Sequence, residues 1–374
     1  MASPNVSAPG SARLPVTVVT GFLGAGKTTL LRHLLLHSGQ RLAVLVNEFG
    51  EVGIDGDLLR SCGFCPDDEL EGRVVELANG CLCCTVQDEF LPTMQELLQR
   101  ADDLDGILVE TSGLALPEPL LAAFRWPEIR ASTRVNGVVA VVDGEALAAG
   151  SVVADPAALE AQRQADPTLD HASAIDELFA EQLECADLVL VSRADLLEAG
   201  AFARVRDDLL PRLRPGTAVL PMERGAIDPA LVIGGNDDPE TRAPTVSPHG
   251  HHDHAADHDD HDHDHDHHDH HDHTHVAMES FALRLAGHLE RESLEAALQH
   301  LIRSHALVRV KGRLWLPGKA RPLELQAVGP RLDSWFASHP GEVPAEPGLE
   351  LVLLGFGLDV DALRKTLQDL IDAA

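Results

Sequence analysis

Short apolar runs separated by amphipathic stretches fill the first 235 positions of the chain. The runs are rich in Val, Leu and Ile, and they predict buried strands at residues 15–20, 42–46, 107–110, 138–143 and 188–192. Helical periodicity between them predicts helices at residues 28–37, 89–100, 116–124 and 175–185. Strands that alternate with helices in this way are typical of βαβ units. We therefore expect an α/β domain with a mostly parallel sheet over residues 14–235.

The pattern breaks off at residues 236–276 and then resumes. Within this stretch, residues 249–275 contain 14 of the 21 histidines of the chain, mixed mainly with Asp. Such a segment cannot bury apolar surface, so we predict a disordered linker there and a second disordered stretch at the Ser/Pro/Ala-rich residues 1–13.

Apolar alternation and helical periodicity return in residues 277–374. They predict strands at 279–285, 306–316, 323–327 and 349–354, and helices at 291–304 and 360–371. This order predicts a smaller C-terminal α+β domain, with an antiparallel sheet that has helices on one face.

Composition restricts the partners of the protein. The 374 residues are 44% hydrophobic and have a formal net charge of −31, which argues against nucleic acid or an anionic membrane surface and favours cations. We find neither an apolar signal-peptide core nor a run of about 18 apolar residues that could span a bilayer. The sequence therefore predicts a soluble cytoplasmic protein.

A phosphate-binding motif lies between the first predicted strand and helix. Residues 21–28 match the pattern G-x-x-x-x-G-K-[ST], in which glycines turn backbone N–H groups toward phosphate oxygens and the helix N-terminus adds partial positive charge. Lys27 would reach the β- and γ-phosphates, and Thr28 would ligate Mg²⁺. The alternative, a chance glycine-rich turn, is disfavoured by the complete match and its position. The residues expected to bind nucleotide here are Gly21, Gly24, Ala25, Gly26, Lys27, Thr28 and Thr29.

A second nucleotide-binding element is indicated at residues 107–113. Glu110 ends a predicted buried strand, where a carboxylate can hold Mg²⁺ or its water, and Gly113 can sense the γ-phosphate. Because many strands end in Glu, this pattern gains weight only from the neighbouring phosphate-binding motif. We expect Lys27, Thr28 and Glu110 to act in catalysis.

A third element, residues 192–195, would select the base. GTPases commonly have N-K-x-D directly after a strand, with the Asp accepting from guanine N1–H and N2–H. Asp195 is present, whereas Ser192 and Arg193 replace the other two signature residues, and Arg193 could still stack on the base. The alternative for Asp195 is a cap of the following helix. GTP is thus the expected nucleotide.

Three cysteines lie within four residues: Cys81, Cys83 and Cys84. Thiolates suit Zn²⁺, Co²⁺ and Cu⁺, and no second C-x-x-C pair downstream completes a closed structural zinc site. An incomplete thiolate set favours metal transfer over inert burial. Cys62 and Cys65 form a second pair that is either part of this site, a separate weak site or neither, and Cys185 is expected in the core.

The histidine-rich segment also indicates metal binding. Imidazole and carboxylate groups together bind Co²⁺, Ni²⁺ and Zn²⁺ weakly at several places, so the segment would raise the local metal concentration. The alternative is a charged solubilising linker.

These motifs together resemble those of the CobW family of P-loop GTPase metallochaperones. The matching segments are residues 21–29, 47–50, 54–55, 76–84 and 110–117. Residues 115–124, 126–130 and 169–171, together with the second cysteine pair, resemble the family members of aerobic cobalamin biosynthesis most closely.

The resemblance implies a GTPase that delivers cobalt(II), held at Cys81, Cys83 and Cys84, to a client such as cobaltochelatase. It also implies a role for Glu48 near the metal and the nucleotide. Zinc-handling relatives have the same cysteine motif, so a zinc or nickel chaperone stays open as the alternative. A non-catalytic metal-storage protein is a more distant one, because it has no need of Lys27 and Thr28.

Overall fold

The computed structural model describes residues 13–46, 74–76, 90–165, 175–234, 278–338 and 348–373. All structural statements below concern these ranges. They contain two sheets, one in the N-terminal part of the chain and one after residue 277.

The first sheet has seven parallel strands in the order β3-β2-β4-β1-β5-β6-β7. The strands are β1 (Leu14–Thr20), β2 (Leu42–Val46), β3 (Val74–Glu76), β4 (Gly106–Glu110), β5 (Thr133–Asp143), β6 (Leu188–Ser192) and β7 (Ala218–Pro221). Strands β4 and β6 are buried at every position, as expected for parallel strands covered on both faces.

Helices connect these strands. They are α1 (Lys27–His37), α2 (Leu91–Leu98), α3 (Pro117–Ala123), α4 (Pro127–Arg130), α5 (Gly144–Ala148), α6 (Pro156–Ala165), α7 (Ile175–Cys185), α8 (Ala201–Leu209) and α9 (Pro229–Val232). Proline at the first turn of α3 and α4 fits the start of a helix, where its missing N–H has no intrahelical partner.

The second sheet has five antiparallel strands in the order β11-β10-β9-β12-β8. Its elements are β8 (Met278–Ala286), α10 (Arg291–Ser304), β9 (Leu307–Leu314), β10 (Leu323–Val328), β11 (Arg331–Phe336), β12 (Gly348–Phe356) and α11 (Val360–Asp372). Leucines of α10 and α11 pack with this sheet in one apolar cluster.

The two sheets also share a core. Val308, Val328 and Leu354 of the second sheet belong to the same buried cluster as Leu30 and Leu34 of α1. Among the described residues, no helix is long and apolar enough to cross a membrane.

The fold class expected from the sequence is confirmed: a P-loop-type α/β domain with a parallel sheet, followed by a smaller α+β domain. Strand β5 begins at Thr133, five residues before its predicted start, and β3, β7 and β11 are additional strands. The expected disordered segments lie outside the described residues, apart from Arg13 at the end of the first.

Candidate functional site: a phosphate-binding cleft at the carboxyl ends of the parallel strands

The turn between β1 and α1 forms the floor of the cleft. Gly21, Gly24 and Gly26 have φ values of 138°, 75° and 103°, which let the chain curl tightly before the helix starts at Lys27. The Ala25 N–H donates to the Phe22 carbonyl at 3.2 Å and closes the turn. The following helix N-terminus directs backbone N–H groups and partial positive charge at the cleft, so the turn can bind phosphate.

Lys27 is buried beside an acidic partner. Its Nζ donates to the Phe22 carbonyl at 3.2 Å and lies 3.8 Å from Glu110 Oε1, and the residue is only 6% exposed. A cation held under the turn by a long, flexible stem is placed to extend to the phosphates of a bound nucleotide.

Glu110 meets the cleft because β4 pairs with β1. Val19 and Glu110 are register partners, and Thr111 Oγ1, just after β4, donates at 3.0 Å to Oγ1 of Thr20, the last residue of β1. Thr28 Oγ1 lies 3.3 Å from Glu110 Oε1 and 3.5 Å from Oε2. A hydroxyl and a carboxylate side by side are hard oxygen donors of the kind that Mg²⁺ prefers, so these residues fit that ion.

Gly113 touches the phosphate-binding turn from the β4 side. A Cβ atom built on Gly113 would lie 2.6 Å from the backbone nitrogen of Leu23, which only a glycine avoids. Gln182 of α7 holds this segment by donating to the Gly113 carbonyl at 3.2 Å. The phosphate-binding turn at residues 21–28 and Gly113, which are far apart in the sequence, are thus neighbours in the fold.

The Arg193 side chain bonds to residues on both sides of the cleft. It adopts a left-handed φ of 53°, forms an ion pair with Asp143 at the end of β5, and donates to the Gly24 carbonyl at 3.3 Å. Ser192, just before it, is buried, and its Oγ has no hydrogen-bond partner among the described residues. A Cβ built on Gly26 would lie 3.4 Å from Ser192 Cβ, so β6 ends directly against the turn.

Asp195 lies on the 3-10 turn after β6, and its Oδ2 is 3.6 Å from Nε of Arg224. Arg224 follows β7, has a φ of 51°, and its side chain is 90% exposed. The loop of Arg224 packs on α1, because a Cβ on Gly225 would meet Thr29 Cγ2 at 2.7 Å. Asp195 therefore lies at one end of the same cleft as the phosphate-binding turn, and the following helix α8 begins after Gly200 without a side-chain cap.

Asp143, Gln182 and Arg224 are not part of any sequence motif considered above. The sequence could have indicated Asp143 as a site residue, because it ends a buried strand of a parallel sheet, and α/β proteins bind ligands at the carboxyl ends of such strands. Gln182 and Arg224 reach the cleft only through the tertiary fold.

The predicted transition-metal ligands Glu48, Cys81, Cys83 and Cys84 lie outside the described residues, as do Cys62, Cys65 and the histidine-rich segment. Within the described ranges, no group of three or more His, Cys, Asp and Glu side chains could hold a metal ion. Cys185 packs against an apolar cluster as expected, and burial raises the pKa of its thiol.

Comparison with known proteins agrees with this arrangement. Residues 15–221 match the family model "CobW/HypB/UreG, nucleotide-binding domain", and residues 278–371 match "Cobalamin synthesis protein cobW C-terminal domain".

Similar proteins extend over most of the chain. "Zinc chaperone CobW" of Pseudomonas aeruginosa is 46% identical over 367 residues, covering 96% of this chain and 91% of that protein. "Zinc chaperone CobW" of Sinorhizobium sp is 40% identical over 365 residues, covering 96% of this chain and 98% of that protein. "Zinc-regulated GTPase metalloprotein activator 1" of Schizosaccharomyces pombe is 33% identical over 201 residues, covering 53% and 43%. The chain therefore belongs to the CobW/HypB/UreG family and has the C-terminal domain of its CobW members.

Proposed function

We propose that this protein binds GTP with Mg²⁺, hydrolyses it to GDP and phosphate, and uses that cycle to hold and release a transition-metal ion for a client metalloenzyme. The observation that carries the proposal is the cleft itself. Lys27 and Thr28 begin α1, Glu110 ends β4 and Gly113 follows it, and all four lie around one phosphate-binding turn.

Each side chain has a role that follows from its position. The N–H groups of the turn and of the first turn of α1 bind phosphate oxygens, and Lys27 moves from Glu110 to the β- and γ-phosphates. Thr28 and Glu110 would hold Mg²⁺, which supplies positive charge to the phosphate oxygens when it is bound. Gly113, in contact with Leu23, is placed to respond to the γ-phosphate.

Asp195 supports guanine as the base. A carboxylate accepts two hydrogen bonds from guanine N1–H and N2–H, whereas adenine offers no such donor pair on this edge. Arg193 ties this segment to Gly24, so a base held at Asp195 and phosphates held at the turn belong to one continuous site.

Cys81, Cys83 and Cys84, with Glu48, are the proposed metal ligands. Two of the relatives reported above are named zinc chaperones, which supports zinc as the cargo. Cobalt with cobaltochelatase as the client, the interpretation favoured by the sequence resemblance, is the alternative. Thiolate ligands need a reducing compartment, so we place the protein in the cytoplasm.

The nucleotide would control the metal through the segments around Glu48 and the cysteines. A γ-phosphate can order loops that relax after hydrolysis, and a thousandfold change in metal affinity needs a coupling of only about 4 kcal/mol.

GTP turnover with product analysis tests the catalytic half of the proposal. The wild-type chain should release GDP and inorganic phosphate in equal amounts, without a phosphorylated acceptor. Lys27→Ala should lower kcat/KM at least about a hundredfold, or roughly 2.7 kcal/mol of barrier, because the cation that meets the phosphates is gone. Lys365→Ala, at an exposed position of α11, is the matched control and should leave turnover unchanged. Wild-type protein that neither binds nor hydrolyses GTP would overturn the proposal, and so would full turnover by Lys27→Ala.

A further inference from the structure

Two histidines lie one turn apart near the carboxyl end of α1, away from the phosphate-binding turn. His33 and His37 have the i, i+4 spacing that puts two side chains on one face of a helix. Their rings are adjacent, with centroids 4.3 Å apart and planes inclined by 24°. His33 is half-buried and His37 is exposed, so an ion can reach both from solvent.

The hydrogen bonds of the two rings fix which nitrogens carry protons. His33 Nε2 lies 2.9 Å from the Ile227 carbonyl, and His37 Nδ1 lies 2.9 Å from the His33 carbonyl. A carbonyl oxygen only accepts, so each of these ring nitrogens is the N–H donor. The opposite nitrogens, Nδ1 of His33 and Nε2 of His37, therefore have lone pairs in the neutral ring.

A neutral imidazole that donates its other N–H to a backbone carbonyl is the arrangement found at metal-ligating histidines, because that bond sets the tautomer and the ring orientation. Two such rings occur here side by side. Metal–nitrogen bonds of about 2.0–2.1 Å place the two ligating nitrogens of one ion close together. The exposed His37 ring reaches that position by a side-chain rotation that gives up its hydrogen bond to the His33 carbonyl, whereas His33 keeps its bond to the Ile227 carbonyl.

The electrostatic setting also favours a cation. His37 is the last residue of α1, where the helix dipole concentrates partial negative charge. Gln40, three residues further on, donates to the carbonyl of Gly234, the last described residue before the histidine-rich segment.

We propose that His33 and His37 form a surface site for one divalent transition-metal ion of the imidazole-binding class, such as Zn²⁺ or Co²⁺. His33 Nδ1 and His37 Nε2 are the protein ligands, and water fills the remaining positions. Its ligands are different residues from those of the cysteine motif, and its ion binding does not require GTP. With only two protein ligands it exchanges its ion readily, as suits a transient stop for metal that arrives near α1.

Histidine footprinting on the full-length protein tests the site without interference from other metal ligands. Diethyl pyrocarbonate acylates the bare nitrogen of neutral histidine, and trypsin cleaves after Arg32 and Arg41. The resulting peptide, residues 33–41, contains only His33 and His37. Residues 285–291 form a second tryptic peptide with one exposed histidine, His288, which is the internal control.

Zn²⁺ should slow acylation of peptide 33–41 about tenfold at a free concentration about ten times the dissociation constant, while the rate at His288 stays unchanged. Mg²⁺ should protect neither peptide, because it prefers oxygen ligands. His37→Gln should abolish the protection of His33, since one imidazole alone holds the ion poorly. His33→Gln should abolish the protection of His37, and its amide can still donate to the Ile227 carbonyl, which keeps the fold comparable.

Two results would overturn the proposal. One is equal acylation of peptide 33–41 with and without Zn²⁺ while the intact protein holds zinc elsewhere. The other is protection of His33 that persists in His37→Gln, which would show that the two rings do not share an ion.

Discussion

Single residues of the proposed base-recognition segment, residues 192–195, show how a departure from a common motif is accommodated. GTPases commonly have a lysine where this chain has Arg193. The guanidinium is a planar group whose N–H donors point in several directions, whereas an ammonium group is compact. Here the guanidinium contacts both Asp143 and the Gly24 carbonyl. The replacement therefore keeps the end of β6 attached to the phosphate-binding turn, and in the proposed function base selection rests on Asp195.

Asp195→Asn should change the preferred base from guanine to xanthine. Asparagine loses the two charge-assisted acceptor contacts to guanine, at a cost of about 2–4 kcal/mol in GDP binding, and its amide can donate to the C2 carbonyl of xanthine. Dissociation constants for fluorescent GDP and XDP analogues measure this change. Asp207→Asn, on the exposed face of α8, is the control and should bind both as the wild type does. Unchanged guanine preference in Asp195→Asn would remove Asp195 from the base site.

At the scale of elements, the local pattern of apolar residues predicts those strands and helices that pack into the core through their own apolar side chains. Strands β2 and β6 and helices α7 and α10 have the predicted bounds. The phosphate-binding turn was equally predictable, because one contiguous segment supplies its backbone and its lysine.

Elements that depend on distant partners could not be predicted in the same way. The first residues of β5 include Arg134 and Asn136, whose polar side chains bond to Gln326 and Arg309 of the second sheet. Strand β11 is an edge strand with half-exposed residues, so it has no apolar run to reveal it. The contacts of Arg193 with Asp143, and of Asp195 with Arg224, join residues that are distant in the sequence, so the sequence pattern could not predict them.

Gly113→Ala tests whether the segment after β4 must touch the phosphate-binding turn. The added Cβ would lie 2.6 Å from Leu23 N and 3.2 Å from Leu23 Cα, so the segment has to move away from the turn. We expect kcat for GTP to fall at least about tenfold, or roughly 1.4 kcal/mol of barrier, with a smaller effect on GDP affinity. Phosphate release and GDP titration measure the two effects.

Gly137→Ala is the matched control for that variant. Its Cβ would lie 3.5 Å from Val328, which is an ordinary contact, so turnover should be retained. Equal activity of Gly113→Ala and wild type would mean that Gly113 has no part in sensing the γ-phosphate.

At the scale of the whole molecule, the two domains are joined through polar as well as apolar contacts. Arg309 of β9 is fully buried and donates to the carbonyls of Leu231 and Val232 at the end of α9, at 3.2 and 3.1 Å. Burial, with a smaller effect of Arg134, lowers the pKa of Arg309 to about 9. Asp187, completely buried before β6, pairs with Arg331 of β11 at 2.5 Å. The C-terminal domain is thus attached to elements that also shape the nucleotide cleft.

Gly329→Ala should weaken this attachment. Gly329 has a φ of 49°, and a Cβ there would lie 2.1 Å from the Asp187 carbonyl oxygen across the domain interface. Gly318→Ala is the matched control, because its φ of 70° imposes a similar backbone cost of about 1 kcal/mol while nothing lies within 4 Å. We expect Gly329→Ala to lose at least about 2 kcal/mol more unfolding free energy than Gly318→Ala, as measured by urea denaturation. Equal losses would contradict close docking of the two domains.

Control of metal affinity by the nucleotide can be measured by a competition titration with Co²⁺ and Zn²⁺. The full-length protein would be titrated with GTP·Mg²⁺, with GDP·Mg²⁺ and without nucleotide, following thiolate–cobalt absorption. We expect GTP to tighten metal binding about a thousandfold, or about 4 kcal/mol of coupling, and Cys83→Ala to abolish the thiolate signal. Metal affinity that is the same in all three nucleotide states would contradict it.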